Sequence, residues 1–328
     1  MSRQDFKKFD ISKAYFPVEA QLLFIRDENQ MESYSALKSH RAIIDCENNH
    51  VFSVVTDSYN LILNKDAVEN SEGLFTKVFK NIAFKDMQCF NVTMPKTRSF
   101  CHIDLIHSES DFEPWEKDAW TPFIRITNSY NKTKLLKYEI GFCRWICKNG
   151  MIFGDRSIEF AYTHSKNAKE KIAKMADNLG DIKQLEAQFI NQLKSIKDVV
   201  FDKNLMFPLV LKVFEIKTDV TKGQLKEKLS KVERLLALRD HIEQLATHYC
   251  QESGENGYSA LNVLTDFATR PTNVISPTSH INSYQTSCAQ WLDEFTKEIK
   301  SKHFDPKVYL SEQLNIAAKI VTVASQLN

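Results

Sequence analysis

The chain has 328 residues, 43% of them hydrophobic and 11% aromatic, with 43 Lys+Arg against 42 Asp+Glu. That apolar content excludes wholesale disorder. Near-neutrality excludes a generally basic nucleic-acid coat, so any such contact must come from a local patch. The opening MSRQDFKKFD lacks the apolar core of a signal peptide, and no run approaches the roughly 18 apolar residues of a membrane span. The seven cysteines are odd in number and scattered, as in a protein that keeps reduced thiols. A soluble, cytoplasmic protein with no membrane contact is the expectation.

Two halves separate along the chain. Ala42–Asp45 and Val51–Val55 flank Asn48-Asn49 and read as a hairpin. Lys65–Phe79 reads as a helix with Asn64 at its N-cap. Strands are expected at Phe84–Met94, Arg98–His107, Pro122–Tyr130, Lys134–Cys147 and Met151–Thr163, the last two joined at Asn149-Gly150. Asn-Gly is a strong hairpin signal, because a type I′ turn needs two residues that tolerate positive φ. Consecutive hairpins imply a largely antiparallel sheet.

From Ser165 the period becomes helical. Ala168, Ile172, Met175, Leu179, Ile182, Phe189, Leu193, Ile196 and Val200 form one stripe, with Glu186 as its polar default. Leu225, Leu229, Val232, Leu236, Ile242, Leu245 and Tyr249 form a second, after a cap at Thr221. Two antiparallel helices packed together account for both stripes, as does an intermolecular coiled coil. Shorter helices are expected at Tyr258–Ala268, Ser283–Ser301 and Leu310–Gln326. The fold class is therefore α+β: an antiparallel sheet domain over 1–164, then a long helix and a helical region over 165–328.

Three segments carry a family resemblance. Arg144, Cys147, Asn149 and Gly150 form Arg-x-x-Cys-x-Asn-Gly, followed by His164. Val54–Asn64 supplies an earlier motif segment ending Asn-Leu-Ile-Leu-Asn, and Ser259–Asp266 a later one with Asn262, Thr265 and Asp266. In this order they resemble a phage- and plasmid-associated family catalogued as domain of unknown function 932. The resemblance implies a setting in a bacterial or phage-infected host cell. It implies no activity.

The chemistry expected of enzymes is missing from the sequence. None of the eight glycines stands in a phosphate-cradling Gly-x-Gly or Gly-Lys-Ser/Thr context, and there is no His-Glu-x-x-His or Gly-x-Ser-x-Gly. Cys143 and Cys147 on one extended strand would lie about 13 Å apart, too far for one zinc that needs both thiolates at about 2.3 Å. His102 and His107 fall on opposite faces of their strand. His164 reads as a cap of the strand-to-helix turn. No catalytic residue, metal or cofactor is assigned.

The positive signal is charge. Arg125–Lys174 holds eleven basic residues and four acidic ones, whereas Asp104–Asp118 holds six acids and one lysine. Strand parity turns Leu136, Tyr138, Ile140 and Phe142 to the core and Phe123, Arg125, Lys137, Glu139, Cys143 and Trp145 outward. By the same parity Arg144 is buried, where it requires a carboxylate or carbonyl partner and serves structure. Cations interleaved with aromatics suit single-stranded nucleic acid. The expected contacts are Arg125, Lys132, Lys134, Lys137, Trp145, Lys148, Arg156, Lys166 and Lys169, and Arg144, Asn149, Gly150 and His164 form the structural motif. Three strands followed by a long helix also match the order in phage single-strand annealing recombinases. The leading function is thus a non-enzymatic, homo-oligomeric, mobile-element protein that binds single-stranded DNA, with annealing as its fuller form. The alternative is a protein-interaction component of phage defence or counter-defence, docking through the helical half. The acidic stretch folding over the basic sheet would remove the first reading.

Overall fold

The computed structural model describes residues 9–26, 34–79, 83–107, 110–145, 149–160, 182–219, 225–270, 281–301 and 303–327. It is α+β, with two antiparallel sheets followed by helices. The chain divides into two compact units. The first takes Met1–Asp111, Thr121–Gly141 and Asp155–Ile182, and the second Phe112–Trp120, Phe142–Gly154 and Lys183–Asn328. The sequence-based boundary at 164/165 lies outside the described residues. The second unit draws in two short segments from the strand region that a single boundary assigns to the first.

In the first unit, β1 (Val18–Arg26), β2 (Tyr34–Asp45) and β3 (His50–Thr56) form a three-stranded sheet in that order. The β2–β3 turn at Asn48-Asn49 is as expected, and Asn49 adopts φ 53°, a conformation its short polar side chain tolerates. β1 has no counterpart in the sequence reading. β3 pairs only with His40–Asp45 of β2, so the outer part of β1–β2 is a two-stranded ribbon. A register shift lies at Leu22/Leu23, whose partners are Arg41 and Leu37. Phe16, Val18, Ile43, Phe52, Val55 and Tyr130 pack as a core cluster, with the Phe52 and Tyr130 rings stacked at 5.4 Å.

Helices α1 (Asn64–Glu69) and α2 (Glu72–Val78) replace the single expected helix. Asn64 does not cap it. Its amide donates to the Ala14 carbonyl at 2.9 Å and accepts from Asn128 at 3.0 Å, while its backbone N–H donates to the Tyr130 hydroxyl. A buried Asn with those partners satisfies its polar groups across the chain instead of along the helix.

The larger sheet runs β4-β5-β7-β8-β9, with β6 also paired to β7. Its strands are β4 (Gln88–Thr93), β5 (Phe100–Ile106), β6 (Phe112–Trp115), β7 (Asp118–Ser129), β8 (Leu136–Arg144) and β9 (Gly150–Phe160). The Arg144 N–H donates to the Asn149 carbonyl at 2.9 Å, so these residues face each other across the two strands. Asn149-Gly150 is therefore not a two-residue type I′ turn; Gly150 opens β9.

In the second unit α3 (Ile182–Lys197) carries the first stripe's described part. Phe189 packs against Phe142, Trp120 and Phe153 at 4.9, 5.0 and 6.0 Å between ring centroids. This face meets aromatic strand residues. Val200 leaves the stripe: it lies past the helix end and is 76% exposed. The second stripe occupies α5 (Leu225–Ser253), but its buried positions are Val232, Leu235, Leu238, Ile242, Ala246 and Tyr249, with Leu225 and Leu229 exposed. α6 (Gly257–Thr269), α7 (Ile281–Glu298) and α9 (Ser311–Leu327) match the three shorter expected helices, and α8 (Pro306–Tyr309) is a single turn. The apolar α4 (Met206–Val213) was not anticipated. α6 packs on α5 and α7, and α9 on α4 and α5. Among the described residues no helix is long and apolar enough to cross a membrane.

A buried motif network as the candidate functional site

Of the expected nucleic-acid contacts that the structure describes, Arg125 is buried along with the strand beside it. Every β5 residue is buried, and Phe123 and Arg125 of β7 are each 1% exposed. Antiparallel pairing sets Asp104 directly opposite Arg125, and the guanidinium closes a bidentate pair on that carboxylate with two bonds of 2.6 Å. Asn91 donates a further bond to Asp104 at 3.0 Å. Burial works against the Arg125 charge; the Asp104 carboxylate outweighs it and raises the Arg125 pKa. Arg125 is corrected accordingly, from a surface cation to half of a buried ion pair.

The other expected contacts are scattered in their surroundings. Lys137 is half-buried and pairs with Glu139 at 2.9 Å. Lys134 places its ammonium 4.8 Å from the Phe100 ring centroid, and burial lowers its pKa. Lys132 is exposed and donates to the Val54 carbonyl at 2.9 Å. Trp145 is half-buried. Arg156 lies in β9, its side chain outside the description, and Lys148, His164, Lys166 and Lys169 lie outside the described residues. Asp104 and Asp118, the two ends of the acidic stretch, are both committed to arginines. Part of the charge segregation in the sequence is thus internal neutralisation.

His102, beside this pair, is 1% exposed and has its Nδ1 2.7 Å from the Thr127 hydroxyl. Burial, followed by the nearby Arg125 and Lys134 charges, pushes its pKa well below the ordinary value. It stays neutral in the fold while an unfolded histidine protonates near pH 6.5. Below that pH the unfolded state binds the extra proton, so this group's share of stability is present above about 6.5 and falls by up to about 1.4 kcal/mol per pH unit beneath it, until the folded pKa is reached. Urea unfolding between pH 7 and 5 is expected to show a shallower acid loss in His102→Phe than in the wild type. Parallel profiles would show that His102 is not held neutral.

The motif residues meet in the second unit. Arg144 ends β8, 2% exposed. Its Nε and Nη2 donate to the two Asp118 oxygens at 2.7 and 3.1 Å, Nη2 also donates to Glu252 Oε1, and Nη1 to Asn262 Oδ1 at 3.2 Å. The Tyr258 hydroxyl donates to Asp118 Oδ2 at 2.6 Å. Burial disfavours the Arg144 charge, but Tyr258, Asp118 and Glu252 more than offset this and raise its pKa. Burial also keeps the Tyr258 phenol protonated, pushing its pKa well up. Of the two partners expected for a buried Arg144, a carboxylate or a carbonyl, the geometry supplies carboxylates.

Asn149 is fully buried. Its amide donates to the Tyr249 hydroxyl at 2.8 Å and accepts from Arg270 at 2.7 Å. Tyr249 in turn donates to Asp266 at 2.6 Å, and Arg270 grips the same carboxylate. The Gly150 N–H donates to Thr269 Oγ1 at 3.1 Å. Asn149 and Gly150 are thus fixed by side chains of α5 and α6 and the residue that follows α6.

Asp118, Tyr249, Glu252, Tyr258 and Arg270 were missed in the sequence. One signal was available: Tyr258, Asn262, Asp266 and Arg270 recur every fourth residue through and just past an otherwise apolar helix, which places polar groups on one stripe. With two cations, three carboxylates and mutual partners throughout, the network offers no open acid–base pair. Among the described residues no three His, Cys, Asp or Glu side chains are grouped to hold a metal ion. Cys89, Cys101, Cys143 and Cys288 are buried and stand outside any disulfide, and Cys46 and Cys250 are partly exposed.

Two antiparallel sheets followed by helices make this an α+β protein, and its described motif residues are buried. The chain belongs to the DUF932 family, a domain of unknown function, whose model matches residues 51–304. The match covers most of the chain and begins after β1 and β2. No curated protein and no solved structure matches it at a significant level.

Proposed function

We propose that this protein is a non-enzymatic component of a mobile genetic element that works by protein–protein assembly through its three-stranded sheet. One observation carries the reading. Among the described residues, Leu22, Phe24, Ile25, Tyr34, Val51 and Val54 are six of the thirteen exposed large apolar side chains, and all six belong to β1, β2 and β3. Scattered apolar residues need no explanation, but a concentration of them on one small sheet marks an interaction surface. This moves the docking surface from the helical half to the sheet. The buried Arg125 and the paired Lys137 count against the single-stranded DNA reading, whose other contacts are Lys132, Lys134, Trp145, Lys148, Arg156, Lys166 and Lys169.

Oligonucleotide titration tests the choice. A nucleic-acid protein loses affinity steeply with salt, by about 0.7 in log K per log salt for each phosphate contact to a single strand. The expected result is no saturable binding to single-stranded DNA at low salt by protein shown to be folded. Tight binding with a steep salt slope that charge reversal at Lys166 and Lys169 flattens would overturn the assembly reading.

A further inference from the structure

Resting on that reading, we infer that the sheet's partner is a second copy of this chain, joined edge to edge through antiparallel pairing of β1 with β1. β1 is the end strand of its sheet and pairs with no strand on its outer side among the described residues. Such an edge presents backbone donors and acceptors that another extended strand satisfies. Native edges are usually defended by Pro, by inward charges or by short length. β1 is nine residues long, and Ala20–Ile25 contains no charge, Pro or Gly. A bulge is the one protective device present. It lies in β2, where three residues are inserted between the partners of Leu22 and Leu23, and leaves β1 continuous.

The sequence of β1 selects the occupant. A two-fold pair in a continuous sheet must set residues of equal parity opposite each other, because the axis is perpendicular to the sheet and preserves its faces. Centred on Leu23, this places Leu22 opposite Phe24 on one face, Leu23 opposite Leu23 on the other, and Gln21 opposite Ile25. Phe24 and Ile25 are 60% and 52% exposed in the single chain. Burial on both faces demands an incoming strand that is itself apolar on both faces, and β1 is one. The antiparallel sense also brings the Arg26 end of each strand to the Glu19 end of the other, whereas parallel pairing sets like charges together.

Size decides the strength of the contact. Nine residues at about 3.4 Å make an edge about 30 Å long. At a thickness of about 10 Å the profile is about 300 Å² per partner, below the roughly 800 Å² of a standard interface. The dimer is therefore reversible, with a mass that depends on concentration.

Light scattering over about a hundredfold range of protein concentration reads this directly. The expected result is a monomer that passes to a dimer and no further, because a two-fold contact closes. Phe24→Lys, at an exposed position, is expected to weaken the dimer at least tenfold with the thermal midpoint unchanged. Leu23→Cys is expected to give a covalent dimer on mild oxidation, since directly opposed Cα atoms stand about 4.5–5.5 Å apart, within the span a disulfide bridges. Ala36→Cys on the adjacent strand is expected not to. A wild type that stays monomeric throughout, or a dimer that Phe24→Lys leaves intact, overturns self-pairing. A monomer that also fails to bind oligonucleotides sinks this inference alone and leaves the assembly reading with a different protein strand as partner.

Discussion

Arg144→Met is expected to destabilise the second unit by about 3–5 kcal/mol, the cost of breaking a buried ion pair by removing one partner. The loss has an identifiable source. Asp118 would keep its charge with only the Tyr258 hydroxyl beside it, Glu252 would lose its guanidinium, and Asn262 Oδ1 its donor. Arg144→Lys keeps the charge but not the planar fork that spans Asp118, Glu252 and Asn262, so an intermediate loss is expected. The measurement is urea unfolding at pH 7 with the slope compared between variants, since an altered slope would mean a changed unfolded or native state. A midpoint within experimental error of the wild type for Arg144→Met would show that the motif arginine does not hold this framework. If association were lost at the same time, the residue would belong to function instead.

The pair in the first unit makes the second large prediction. Asp104→Ala is expected to cost about 3–5 kcal/mol, because Arg125 would remain buried without the carboxylate that pairs it bidentately. The double replacement Asp104→Leu/Arg125→Met is expected to recover most of that loss. Exchanging a whole buried pair for apolar groups of similar volume is often neutral or stabilising. The outcome separates the two descriptions of this strand sharply. An arginine on an open, solvated face would tolerate the loss of Asp104 within about 0.5 kcal/mol, as surface substitutions do. Near-silence of Asp104→Ala would return Arg125 to the surface.

Much of the fold was legible where one physical signal dominated. β5, β7 and β8 announced themselves by apolar residues at alternate positions, and α6, α7 and α9 by helical period and by the Pro-containing segment 271–280 between the first two. β1 was silent because both of its faces are open, so no alternation of burial constrains its side chains. α4, Met-Phe-Pro-Leu-Val-Leu-Lys-Val, is buried from Met206 to Leu211 and so lacks a polar face to reveal its period. The candidate site was half legible. Arg144, Asn149, Gly150, Asn262 and Asp266 were picked out as motif residues, and a carboxylate or carbonyl partner was expected for Arg144. The identity of that carboxylate, Asp118, could not be read from spacing, since 26 residues and a strand register separate the two. Parity failed for Arg125 for a related reason. It says which residues share a face but not whether that face meets water, and here Asp104 closes over the charge.

The distribution of thiols gives the molecule built-in reporters of its own opening. Cys89 and Cys101 are buried in the first unit, Cys143 and Cys288 in the second. Burial raises the first two to a pKa of about 12 and pushes Cys288 up as well. Only the thiolate reacts, so at neutral pH these sulfurs are shielded twice, by exclusion and by protonation. Alkylation of each pair then proceeds only as fast as its surroundings come apart, whether by local fluctuation or global unfolding. Peptide-resolved labelling of the wild-type chain, with no engineered probe, would time the loosening of the two units independently. The partly exposed Cys46 and Cys250 would serve as the more accessible references.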